Sequence, residues 1–177
     1  MKKLIVILLS MVLIIGVLGQ AVPVGAAQAY TLKFINTEAD LNTVKVYLNG
    51  QALDVNTMLY DGRLYLPLRD ICYFLKKNIQ FDGKTYTINI VSDSITGRNA
   101  PTEGGGLKGV NGIEIVSNPY TVKVGGINAY VNTILYDNTT YIGVRYISEI
   151  FNKKIDWNSS EKSVSINDIP DDSVGTV

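Results

Sequence analysis

A unit of sequence that occurs twice, after an apolar N-terminal segment, most constrains what this chain folds into. The first copy reads VNTMLYDGRLYLPLRDICYFL from Val55, and the second reads VNTILYDNTTYIGVRYISEIF from Val131. Val, Asn, Thr, Leu, Tyr, Asp, Tyr and Arg recur in register. A duplicated unit of this size typically builds one shared core or a short array of stacked modules. The repeat therefore indicates a scaffold or a recognition surface.

The N-terminal segment has the three parts of a secretory signal. Lys2 and Lys3 precede an apolar run from Leu4 to Leu18, and small residues follow as far as Ala29. This order predicts a signal peptide over residues 1–29, and its apolar run is shorter than the roughly 20 residues of a spanning helix. We expect a secreted or cell-envelope-associated protein; the alternative is that the segment is retained as an anchor.

Composition excludes several kinds of chemistry. Lys and Arg number 16 and Asp and Glu number 16, and the chain has no histidine. The charge balance predicts no nucleic-acid partner, and no membrane partner after signal cleavage. The usual zinc and copper sites and His-activated nucleophiles need histidine, and Cys72 is expected to be a buried apolar residue. The sequence therefore predicts no metal, no cofactor and no enzyme.

Turn signals at equivalent places predict the strands of each copy. Asn49-Gly50 and Gly125-Gly126 tolerate the positive φ angles of two-residue hairpin turns. Asp61-Gly62 and Asp137-Asn138 predict a second turn, because these residues also favour turns. Residues of period two at the end of each copy predict a further hairpin.

Apolar residues at i, i+3, i+4 and i+7 predict one short helix in each copy. The stripe consists of Leu68, Ile71, Cys72 and Leu75 in the first copy, and of Val144, Ile147, Ser148 and Phe151 in the second. Pro67 suits the start of the first helix, where its missing N–H has no intrahelical partner. The predicted fold class is α+β: two tandem repeats, each with two β-hairpins bracketing one short helix, packed together with predominantly antiparallel strands.

The predicted boundaries follow from these patterns. The first repeat is assigned to 30–95, a Gly-rich linker or surface loop to 96–112, the second repeat to 113–168 and a flexible tail to 169–177. About 45 residues per unit is marginal for an independent core. The two repeats are therefore expected to form one structural domain.

The repeated motif resembles the copper amine oxidase N-terminal-like (stalk) domain family of secreted and cell-surface bacterial proteins. The matching pieces are Asp61–Arg69 with Ile79–Asp82, and Tyr141–Arg145 with Ile155–Asn158, which contains Trp157. Asp61, Gly62, Pro67, Asp137 and Trp157 are the structural-motif residues. The second copy has Gly143 in place of Pro67, and Lys76 and Asn152 stand where helix-ending glycines are expected. The resemblance implies an accessory domain without an oxidase site.

Tyrosines and arginines around the two helix starts are the candidate ligand-binding residues: Tyr60, Tyr65, Arg69, Tyr136, Tyr141 and Arg145. Arginine binds carboxylate and sulfate-like groups, and tyrosine rings offer amphipathic platforms for sugars or peptides. The structural alternative pairs each arginine with Asp61 or Asp137, or with a carbonyl of the neighbouring hairpin, and places about half of the rings in the core.

The functional prediction is a non-catalytic structural or binding module whose partner is a cell-wall polymer or a surface protein. The alternative is a peptidoglycan- or carbohydrate-binding protein that uses the Tyr/Arg surface. A third hypothesis is a small hydrolase with Asp61 and Asp137 as its carboxylate pair, although equivalent turn positions favour a structural role. The oligomeric state is not predicted.

Overall fold

The computed structural model describes residues 32–91, 104 and 106–170. The predicted signal peptide, most of the predicted Gly-rich segment and the last seven residues of the predicted tail lie outside these residues. Of the described residues, 56% are in strands and 12% in two helices. The predicted α+β class is therefore wrong, and the fold is mostly β.

The two repeats contain the same elements in the same order. In the first repeat these are β1 (Phe34–Leu41), β2 (Lys45–Leu48), β3 (Gln51–Leu53), β4 (Met58–Tyr60), β5 (Arg63–Pro67), α1 (Leu68–Phe74), β6 (Asn78–Asp82) and β7 (Thr87–Val91). In the second they are β8 (Gly109–Ser117), β9 (Thr121–Val124), β10 (Ile127–Ala129), β11 (Thr133–Tyr136), β12 (Thr139–Gly143), α2 (Val144–Phe151), β13 (Lys153–Asn158) and β14 (Ser163–Asp168). Equivalent residues lie 76 positions apart, as Tyr65 and Tyr141 do.

A closed six-stranded barrel forms the centre of the fold, and each repeat supplies three of its strands. The strand order is β1-β4-β5-β12-β11-β8, so β1 pairs with β8 and β5 pairs with β12 across the two repeats. Both of these pairings are antiparallel. Closure joins the edges of the central sheet to each other, which removes unpaired edges.

Two four-stranded sheets flank the barrel, and each combines hairpins from both repeats. One has the order β10-β9-β7-β6 and the other β13-β14-β2-β3. In each sheet the hairpin that follows a helix pairs in parallel with the opening hairpin of the other repeat. The predicted picture of two hairpin–helix–hairpin units packed side by side is therefore wrong, because the repeats exchange hairpins.

The strand registers have an approximate two-fold symmetry. Leu66 pairs with Ile142 at the centre of the β5–β12 contact, and these two residues are equivalent in the repeats. The pair is flanked symmetrically by Tyr65 with Gly143 and by Pro67 with Tyr141. The repeat distance of 76 residues is thus kept in the strand pairing between the two repeats.

Alternation along the barrel strands separates two hydrophobic cores, because successive side chains point to opposite faces of a sheet. The barrel interior contains Ala39, Leu41, Met58, Tyr65, Ile113, Ile115, Ile134 and Tyr141. The second core lies outside the barrel wall, where Leu64, Leu66 and Ile142 meet residues of the helices and the two outer sheets. β5 is thus covered on both faces from Leu64 to Pro67, which explains its nearly continuous apolar sequence.

Both helices begin where the apolar stripe predicts, and a left-handed residue follows each of them. Pro67 precedes α1 as its N-terminal cap, and Gly143 precedes α2. After the helices, Lys76 has φ 55° and Asn152 has φ 52°. Asn tolerates this conformation better than Lys, so the two repeats end their helices at different conformational cost.

Candidate binding site beside the first helix

The predicted Tyr/Arg surface does not assemble as one accessible face. Tyr65 and Tyr141 point into the barrel and are only 4% and 6% exposed. Burial is the main cause that raises the pKa of Tyr141 to about 12, and the neighbouring Tyr136 and Asp137 contribute in the same direction. Burial also raises the pKa of Tyr65, although the cation of Arg63 opposes this effect. Both rings belong to the core and do not form a ligand platform.

The four remaining members of the predicted set are more accessible. Tyr60 and Tyr136 are half-buried and pack against the barrel interior, and the Tyr136 ring lies 6.4 Å from that of Tyr141. Arg69 and Arg145 are exposed at the equivalent second positions of α1 and α2. The structure therefore leaves the two arginines available and uses most of the tyrosine surface for packing.

The aspartates predicted as arginine partners or as a catalytic pair lie in hairpin turns. Asp61 and Gly62 connect β4 to β5, and Asp137 and Asn138 connect β11 to β12; all four have positive φ. Asp61 forms an exposed ion pair with Arg63, not the predicted pair with Arg69. Positive φ at both central positions is what a two-residue hairpin of this twist requires, so these aspartates have a clear structural role.

A cavity of about 290 Å³ lies between the start of α1 and the β11–β12 hairpin. Its polar lining includes Arg69, Asp70, Asn138, Thr139 and Thr140. Asp70 is the third residue of α1, and it is only 2% exposed. Of the predicted site residues, the structure thus brings Arg69 and Pro67 to this cavity together with groups from the other repeat.

Two aromatic rings, those of Phe81 and Tyr120, contribute to the apolar side of the cavity. Phe81 on β6 is 56% exposed, and its ring meets that of Tyr120 edge-on at 5.2 Å between centroids. The equivalent of Phe81 is Trp157 on β13, which is 51% exposed. Phe81 thus keeps part of its apolar surface exposed beside the polar lining of the cavity.

Sequence reasoning missed Asp70, Phe81 and Tyr120. Asp70 lies within the predicted helix but outside its apolar stripe, so the pattern predicts an exposed side chain. A signal for this site was available in the comparison of the two copies. The second copy has Tyr146 at the position of Asp70 and, three residues earlier, Gly143 at the position of Pro67.

The other reactive groups offer little chemistry. Cys72 is buried, and this burial raises the pKa of its thiol to about 12, which disfavours the nucleophilic thiolate. Within the ranges 32–91 and 106–170, no group of three or more His, Cys, Asp or Glu residues could hold a metal ion. None of the helices in the described part of the chain is both long enough and apolar enough to cross a bilayer.

The fold is a duplicated, mostly β domain with a small, partly polar cavity beside α1. The chain matches the family model of the copper amine oxidase N-terminal domain over residues 25–101 and 107–166. This match spans most of the sequence, so the chain belongs to that family, and the resemblance seen in the sequence is confirmed. The family consists of non-catalytic accessory domains. Comparison with curated proteins gave no significant match, and neither did comparison with solved structures.

Proposed function

We propose that this protein is a secreted or cell-envelope-associated structural and binding module without catalytic activity of its own. The observation that carries the proposal is its membership of a family of non-catalytic accessory domains. The N-terminal sequence pattern supports export. The positions of Asp61 and Asp137 in hairpin turns argue against the third hypothesis, a hydrolase built on these carboxylates.

The architecture suits a module that must remain folded outside the cell without disulfides. Its one cysteine, Cys72, is buried, so the chain contains no internal disulfide. Closure of the barrel by both repeats and exchange of the outer hairpins place contacts between distant parts of the chain. Such contacts distribute stability over the whole domain, which supports a role as a spacer or scaffold for a surface partner.

The peptidoglycan- or carbohydrate-binding alternative loses support in its original form, because Tyr65 and Tyr141 are buried. A cell-wall polymer or a surface protein remains the proposed partner, and the exposed residues around α1 offer the contacts.

Cell fractionation combined with a pull-down on purified cell-wall sacculi tests this proposal. We expect the chain in the envelope or culture fraction, shortened at its N-terminus, and saturable binding to either sacculi or a surface protein. Retention of the full-length chain inside the cell would contradict the localisation. Turnover of a glycan that disappears in Asp61→Asn or Asp137→Asn would contradict the non-catalytic role.

A further inference from the structure

We infer that the cavity beside α1 is a binding site for a neutral saccharide unit, with a polar lining that the equivalent residues of the other repeat do not reproduce. The inference rests on the proposed binding role and deepens it, because it names the chemistry by which residues around α1 would recognise a cell-wall polymer. Failure to bind sugars would leave the scaffold proposal intact, and failure of the localisation test would leave this site intact.

The hydrogen-bonding character of the walls indicates the ligand class. The Asp70 carboxylate can only accept hydrogen bonds and the Arg69 guanidinium can only donate them, whereas Asn138 and Thr139 can do both. A ligand with several hydroxyl groups matches such a mixture, because each hydroxyl both donates and accepts. The presence of one acidic and one basic group in the same wall favours a neutral ligand over an ion of either sign.

The apolar side of the cavity completes the match. Phe81 and Tyr120 present aromatic surface at 5.2 Å from each other, and a sugar ring has an apolar face of C–H groups that such surface can cover. A volume of about 290 Å³ is at the small end of ligand cavities, which span roughly 300–1,000 Å³. The site therefore fits one ring or a short branch of a longer polymer.

The polar residues that line the cavity are not repeated at the equivalent positions of the other repeat. The equivalents of Asp70, Asn138, Thr139 and Thr140 are Tyr146, Gly62, Arg63 and Leu64. The Tyr146 ring lies so close to Gly143 that a Cβ added there would be 3.2 Å from Cδ2 of the ring. The second repeat thus places an aromatic ring where the first repeat has a buried carboxylate beside a cavity.

Arginine occurs at the same helix position in both repeats, which provides a matched control. Arg69 lines the cavity, and Arg145 is its exposed counterpart on α2. If the arginine serves only helix or hairpin structure, Arg69→Ala and Arg145→Ala should behave alike. If Arg69 contacts a ligand, only its removal should weaken binding.

The test is titration of the full chain with two neutral disaccharides, diacetylchitobiose and cellobiose, by calorimetry and saturation-transfer NMR. We expect one sugar site per chain, with Kd on the order of 1 mM or tighter, for at least one of the two. Arg69→Ala should weaken binding about tenfold, as expected for loss of one charged hydrogen bond. Arg145→Ala should leave binding unchanged.

A second variant transfers the arrangement of the second repeat to the first. Pro67→Gly combined with Asp70→Tyr should fill the cavity and abolish binding, with the folded state checked by circular dichroism. Should this double variant not fold, the exposed Arg69 still decides the question. Because the proposed ligand is neutral, added salt should have little effect on binding.

Three results would overturn the inference. One is that neither disaccharide binds; another is that binding is the same in wild type, Arg69→Ala and the double variant. The third is an equal loss in Arg69→Ala and Arg145→Ala, which would assign the effect to structure.

Discussion

The starts of the two helices are equivalent regions of the two repeats that differ in sequence and in surroundings. The first has Pro67 and a buried Asp70 beside a cavity, and the second has Gly143 and the ring of Tyr146. The two substitutions belong together, because a Cβ at residue 143 would lie 3.2 Å from the Tyr146 ring and would require that ring to shift. A duplicated fold can thus keep the same strands and helices in both repeats while substitutions at two positions change the surroundings of one helix start.

Equivalent core residues of the two repeats should contribute similarly to stability, and their removal is the largest effect that we expect. Leu66 and Ile142 pair at the pseudo-symmetry axis, and both have 0% exposure. Leu66→Ala and Ile142→Ala should each lower the free energy of unfolding by about 2–5 kcal/mol, because each leaves a cavity in the same core. Urea denaturation measures both, and a large loss in one with almost none in the other would contradict a shared core.

Alkaline pH should separate the two barrel tyrosines. The pKa of Tyr141 is near 10 when unfolded and about 12 when folded. Since the folded pKa is the higher one, the stabilisation is fully present below pH 10 and is lost as the pH rises from about 10 to about 12. The loss amounts to about 2–3 kcal/mol and should be absent from the pH curve of Tyr141→Phe.

Tyr65→Phe should reduce the loss of stability at alkaline pH by less than Tyr141→Phe does. The reason is that the cation of Arg63 lowers the pKa of Tyr65 and so opposes the effect of burial on that pKa. The equivalent of Arg63 is Thr139, which has no charge. Tyr130→Phe is the control, since its ring is 93% exposed. Urea midpoints at a series of pH values measure all three variants, and identical curves for wild type and Tyr141→Phe would count against the buried phenol.

Gly143→Ala tests the coupling at the second helix start. The added Cβ would lie 3.2 Å from the Tyr146 ring, so the ring must shift, and we expect a loss of about 1 kcal/mol in unfolding free energy. In a Tyr146→Ala background the same change should instead stabilise by about 0.5 kcal/mol, because alanine restricts the unfolded chain. A double-mutant cycle measures this reversal, and equal effects in both backgrounds would show that the two residues are not coupled.

A small effect is also expected at the residues that follow the helices. Lys76→Gly should raise the free energy of unfolding by about 1 kcal/mol, because lysine at φ 55° carries a steric cost that glycine avoids. Asn152→Gly, at nearly the same φ, should change it by less than about 0.5 kcal/mol, since asparagine tolerates this region. Thermal melts compare the stabilities of the two variants directly. Equal gains in stability would show that the steric cost at Lys76 is no greater than that at Asn152.

Local patterns in the sequence predicted the turns and the helices, but not how they assemble. The Asn49-Gly50 and Gly125-Gly126 signals and the apolar stripe of α1 each depend on neighbouring residues, so the sequence shows them. The parallel pairing of β7 with β9 joins segments far apart in the chain, and no local period records it. The exchange of hairpins, and with it the fold class, could therefore not be predicted.

The site was predicted only in part for a similar reason. Tyr65 alternates with Leu64 and Leu66, and a strand covered on both faces gives no sign of which side faces water. Arg69 was found because it recurs in both copies. Asp70 was missed because its burial follows from tertiary packing, and the β11–β12 hairpin that lines the same cavity comes from the other repeat.

The most direct test of the account asks whether the two repeats unfold together. Trp157 reports on the second repeat, and a Phe81→Trp/Trp157→Phe variant places the same probe at the equivalent, similarly exposed position of the first repeat. Because both repeats close one barrel, fluorescence of the two proteins should give the same urea midpoint, and each should coincide with the loss of circular dichroism. Separate midpoints for fluorescence and circular dichroism within either protein would show that the repeats fold independently and would contradict the exchanged architecture.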